Sequence, residues 1–154
     1  MSDFNLKIND EFKNGNNNLK IAIVVSKWNS TITSNLYNET TKTLQEFGVN
    51  EINIIKTEVP GSFELIYAAK KIGINQDVDA IITIGCIIKG ETPHFNYISQ
   101  NVTSGIKDLN ISLNKPVIFG VLTTNNLNEA IKRSTGKNNK GKEFAISAIE
   151  MTKI

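Results

Sequence analysis

What most constrains this chain is an alternation of short apolar runs with longer segments whose apolar residues recur at helical spacing. The first run, residues 20–26 (KIAIVVS), is β-branched and nearly free of polar side chains, as a strand buried on both faces must be. Residues 51–57, 79–88 and 117–122 follow as the second, third and fourth strands. Between them, residues 30–47 carry Ile32, Leu36, Leu44 and Phe47 on one helical stripe, with Gly48 as the stop. Residues 62–72 carry Phe63, Ile66, Ala69 and Ile72, with Gly73 as the stop. Residues 93–109 carry Phe95, Ile98, Val102, Ile106 and Leu109. Asn126, with Glu129 three residues on, opens a short helix to Arg133 as a capping pair. A polar loop, residues 134–139, precedes a last helix over 141–151. Strands this apolar, alternating with helices, predict a three-layer α/β/α sandwich around a central four-stranded parallel sheet. In such sheets ligands bind beyond the carboxyl ends of the strands, so chemistry is expected within residues 27–30, 58–64, 85–94 and 123–126.

The chain has 154 residues, enough for one domain with a sizeable core. A net charge of +2 gives no concentrated basic face, which argues against a nucleic-acid partner. The longest apolar run, near residues 80–88, is far short of the ~20 residues of a membrane helix. No export signal is read at the N-terminus, and the single cysteine, Cys86, fits a reducing cytoplasm. Residues 1–18 are polar and end in a Gly-Asn turn. They are expected to form an arm, with residues 6–8 able to pair as a short strand, ahead of one domain over residues 19–154.

The loop after the third strand reads GCIIKGETPHFNY. Gly85 and Gly90 have the glycine spacing of a P-loop, but Glu91 stands where that motif needs lysine. Thr92-Pro93 is instead a helix start, with Thr92 as N-cap and Pro93 in the first helical position. His94 then lies in the first turn, beside backbone N–H groups able to hold an anion. A proton shuttle beside an anion site is one reading of this segment; a capping or packing histidine is the other. Glu64, after Pro60-Gly61-Ser62-Phe63, can accept hydrogen bonds from a polyol or simply favour a helix N-terminus. Trp28 can stack a planar ring or cover the core. Arg133 and Lys140 flank a basic loop that is either a phosphate clamp or a solvated face. Cys86 with His94 offers a rival, a cysteine-dependent hydrolase, although free cysteines are usually buried and inert.

Taken in order, KWN (27–29), VPGSFEL (59–65), GCIIKGETPHFNYI (85–98), PVIFGVLTTNN (116–126), EAIKR (129–133) and NKG (139–141) resemble the lumazine synthase family. The resemblance spans nearly all of residues 19–151, and VPGSFE together with GETPHF is highly specific. It implies a flavodoxin-like fold. It also implies condensation of 5-amino-6-(D-ribitylamino)uracil with 3,4-dihydroxy-2-butanone 4-phosphate, without a metal or redox cofactor. By matching position, Trp28 and Phe119 would flank the pyrimidine, and Ser62, Phe63 and Glu64 would hold the ribityl chain. Cys86, Ile87 and Ile88 would line the ring edge through their backbone. Glu91, Thr92 and Arg133 would hold the phosphate substrate, helped by Lys140, with His94 as proton carrier. The resemblance further implies a cytoplasmic homopentamer, which can build into a sixty-subunit shell and associate with riboflavin synthase. Two departures stand out: Trp28 replaces the family's common phenylalanine, and the loop before Lys140 is slightly short. A flavin-binding or shell-forming relative without synthase activity is the alternative.

Overall fold

A computed structural model describes residue 13 and residues 15–154. Four strands, β1 (Ile21–Ser26), β2 (Ile54–Val59), β3 (Ala80–Ile88) and β4 (Val117–Thr124), form one parallel sheet in the order β2-β1-β3-β4. Five helices cover it: α1 (Ser30–Glu46), α2 (Glu64–Asn75), α3 (His94–Ser112), α4 (Leu127–Ser134) and α5 (Gly141–Met151). Strand alternation divides the core. Ile21, Ile23, Val25, Ile82 and Ile84 face the layer of α1, α4 and α5. Ala22, Val24, Ile81, Val117 and Val121 face α2 and α3. This is the predicted three-layer sandwich. Each central isoleucine is fully buried, worth about 1.5–3 kcal/mol over exposure. Among the described residues no helix is long and apolar enough to cross a membrane. The arm segment read as a short strand, residues 6–8, lies outside the described residues. At the arm's end, Asn16 is buried and its Nδ2 donates to the Phe47 carbonyl at 2.8 Å.

Several local expectations change. Glu51–Asn53 is a 3₁₀ turn rather than the start of a strand. Asn50 accepts from the Ile52 N–H and favours the turn, so β2 begins at Ile54. β2 is also an edge strand that exposes Lys56 and Glu58, unlike the buried strands the text suggested. Their charges suit an edge that must not recruit stray strands. Gly48 does end α1, at φ 90°. Gly73 does not end α2. It is buried inside the helix, where a Cβ would lie 2.6 Å from Leu113 Cδ1. Its role is to let the chain after α3 come close. Asn126 caps α4 as expected, its Oδ1 accepting from the Glu129 N–H at 2.9 Å, while the Glu129 carboxylate reaches back to the Asn125 N–H.

Candidate active site

The sheet reverses its strand order between β1 and β3, and the site is built at their carboxyl ends. β1 leads first towards β2: the Lys27 N–H donates to the Val59 carbonyl at 2.8 Å and the Trp28 N–H to the Pro60 carbonyl at 3.1 Å. These bonds lay Trp28 against the β2 loop. A Cβ on Gly61 would lie 2.9 Å from Trp28 Cε3, so the bare glycine is what lets the ring settle there. The ring remains 67% exposed, which rules out its role as a core cover and leaves a free stacking face.

The β2 loop turns into α2 through Ser62, Phe63 and Glu64. Glu64 Oε2 accepts from the Gly61 N–H at 2.9 Å, holding the loop closed. The helix-start reading of Glu64 is therefore realised, and its carboxylate still lines the cavity. Ser62 is buried over Gly85, where a Cβ would lie 2.6 Å from Ser62 Oγ. That close approach brings the start of α2 down onto β3. Phe63 stays half exposed beside it.

β3 supplies Cys86, Ile87 and Ile88. The Cys86 thiol belongs to the core under α1 and α5, while Ile87 packs towards α2 and α3. Burial pushes the thiol's pKa up to about 11, so at neutral pH it is a protonated packing group. This overturns the hydrolase reading: the sulfur is packed in the core and is not presented as a nucleophile. After Gly90 the chain enters α3 at His94. Pro93 takes the cap position and no side chain caps this helix, so the expected Thr92 cap is not made. The Asn96 N–H turns back to the Pro93 carbonyl instead, at 3.0 Å. His94 is exposed in the first turn.

Together these elements enclose an open cavity of about 390 Å³. Trp28, Ser62, Phe63 and Glu64 line one side; Cys86, Ile87, Ile88 and His94 line the other. The family model for 6,7-dimethyl-8-ribityllumazine synthase matches residues 18–154, which takes in every strand and helix described above. The chain belongs to the lumazine synthase family. Relatives with the same name agree. The Flavobacterium johnsoniae protein is 53% identical over 136 residues, covering 88% of this chain and 72% of that one. The Bacteroides fragilis protein is 50% identical over 134 residues, covering 86% and 94%. The Porphyromonas gingivalis protein is 49% identical over 134 residues, covering 86% and 83%.

Other residues that the lumazine synthase resemblance singled out lie outside the cavity lining. Glu91 and Thr92 are exposed just before His94. Phe119 is 40% exposed on β4, opposite Thr83 at the far edge of the sheet. Arg133 lies in the last turn of α4, in the layer opposite α2 and α3, and donates to the Glu129 carbonyl at 3.0 Å. Lys140 is tied to it by a backbone bond from the Lys140 N–H to the Arg133 carbonyl at 2.8 Å, but its ammonium pairs with Glu143 at 2.6 Å. Two lining residues, Asn29 and Ile98, lie in segments that the sequence singles out but are given no role there. Ile98 was assigned to the core stripe of α3 and is only partly buried. Asn29 carries a signal of its own: an asparagine in a short strand-to-helix loop, immediately before the helix, tolerates the left-handed backbone that such a junction can demand.

Proposed function

We infer that the chain catalyses the reaction of its family, joining 5-amino-6-(D-ribitylamino)uracil and 3,4-dihydroxy-2-butanone 4-phosphate into 6,7-dimethyl-8-ribityllumazine, phosphate and two waters. The product is the penultimate compound of riboflavin biosynthesis. The observation that carries the reading is the cavity at the β1–β3 switch point, in a chain matched to the family over residues 18–154. Trp28 stacks on the pyrimidine. Ser62, Phe63 and Glu64 take the ribityl chain, and the backbone of Cys86, Ile87 and Ile88 meets the ring edge. An amine of the pyrimidine attacks the ketone and water leaves, phosphate is eliminated, and the second amine closes the ring on the remaining carbonyl with loss of a second water. Each step moves a proton, and in this reading His94 carries it; its position in the cavity lining supports that role. Holding both reactants together removes much of the entropic barrier.

The butanone phosphate falls to Glu91, Thr92 and Arg133, with Lys140 in a lesser part because Glu143 already engages its ammonium. Phe119 and Arg133 come from a neighbouring subunit in a cytoplasmic ring of five, which is how residues absent from the cavity of one chain complete it. Assembly into a shell and association with riboflavin synthase would follow from that ring. Mixing purified protein with the two substrates and following lumazine fluorescence is the direct test. Formation no faster than the uncatalysed background would overturn the assignment.

A further inference from the structure

One side-chain hydrogen bond crosses the sheet's switch point beside the cavity. The β1–β3 ladder ends at the pair Val25↔Ile84. Beyond it β1 turns to β2 through Lys27 and Trp28, while β3 continues along β4, its Lys89 N–H donating to the Thr124 carbonyl at 2.9 Å. The two loops therefore part, and the cavity occupies the gap. Asn29 spans it: its Nδ2 donates to the Cys86 carbonyl at 2.8 Å. Asn29 is also the one described non-glycine residue with positive φ, at φ 56° and ψ 44°. A residue in that conformation costs free energy that the surroundings must offset. Here the strained backbone aims the amide at β3 and sends Trp28 the other way, towards Gly61.

We propose that Asn29 is a positioning residue that sets the separation between the Trp28 ring and the Cys86–Ile88 backbone, and so fits the cavity to a planar pyrimidine. By holding the Cys86 carbonyl, its amide also fixes the orientation of the β3 backbone that meets the ring edge. This rests on the proposed function and deepens it.

The test compares Asn29→Gly, which keeps the left-handed backbone without strain and loses the tie, with Asn29→Asp, which keeps the shape and cannot donate to a carbonyl. Both are folded-state controls for each other. Two readouts are taken: steady-state KM for each substrate, and saturable quenching of Trp28 emission by the pyrimidine alone. The expected result is a roughly three- to ten-fold rise in KM for the pyrimidine in both variants, the size of one lost hydrogen bond. The quenching midpoint should shift alike, and KM for the butanone phosphate should stay within about two-fold. A purely structural role would lower kcat through loss of folded protein and leave the quenching midpoint of the folded fraction unchanged. That outcome overturns the proposal, as does an equal rise in both KM values. Failure of the proposed function is separate: there, wild-type protein itself forms no lumazine.

Discussion

Two regions of this molecule invite comparison: the cavity at the ends of β1, β2 and β3, and the basic corner where α4 meets α5. The cavity is assembled within one chain, largely from backbone and ring surfaces held by close contacts. Gly61 and Gly85 let Trp28 and Ser62 approach, and Glu64 locks its own loop. The corner is built from side chains, Arg133 and Lys140, joined by one backbone bond and outside the lining of the cavity that His94 borders. A neutral planar substrate can be held by a preformed slot. A phosphate needs charge, and charge is cheapest to keep at a solvated surface until a partner closes over it.

If that division is right, the largest effect of any single change falls on the corner. Arg133→Ala should raise KM for the butanone phosphate roughly 10- to 100-fold, the worth of a charge-assisted, bidentate contact. The pyrimidine's KM should move by no more than about two-fold. Equal weakening of both substrates, measured by varying each in turn, would erase the distinction between the regions. The comparison is sharpened by mixing. Neither a His94→Ala nor an Arg133→Ala homo-oligomer has an intact site. Refolded together in equal amounts, they should recover about a quarter of wild-type sites, since adjacent subunits in a closed ring of like contacts mix at random. If mass measurement confirms mixed oligomers and activity stays at the sum of the two mutants, the corner and the cavity of one chain serve the same site.

A smaller effect is expected inside the cavity. Positioned acid–base groups contribute ~10² to 10⁴ in rate. His94→Ala should cost less, roughly ten-fold in kcat, because an amine and a ketone react unaided and orientation supplies much of the gain. Turnover equal to wild type in a folded variant would remove His94 from the chemistry.

The cavity was legible in the sequence because its parts are local. VPGSFE and GETPHF each lie on one strand-to-helix junction, and a parallel sheet brings such junctions to one end whatever the details. What sequence could not show depends on distant partners. Asn29 acts on a carbonyl 57 residues away. Gly73 reads as a helix stop until Leu113 is seen against it, and β2 reads as a buried strand until its place at the edge exposes Lys56 and Glu58. Arg133 is harder still, since the cavity it is proposed to complete is not in its own layer.

The smallest effect is expected at Cys86, which shares both characters. Its carbonyl accepts from Asn29 beside the cavity and its thiol belongs to the core beneath α1 and α5. If the cavity works through backbone at this point, Cys86→Ala should keep kcat and both KM values within about two-fold, at a modest stability cost on the order of 1 kcal/mol. The thiol leaves a separate mark on stability. Burial raises its pKa from 9.0 to about 11, so above pH 9 the unfolded chain gives up this proton more readily than the folded one. The stabilisation present below pH 9 is thus lost as pH rises towards 11. Denaturant unfolding of wild type should weaken more steeply over that window than unfolding of Cys86→Ala, in which no thiol titrates. Identical pH slopes would show that the thiol titrates alike in the folded and unfolded chain. A large loss of kcat in the folded variant would mean that the side chain, and not only the backbone, reaches the substrate.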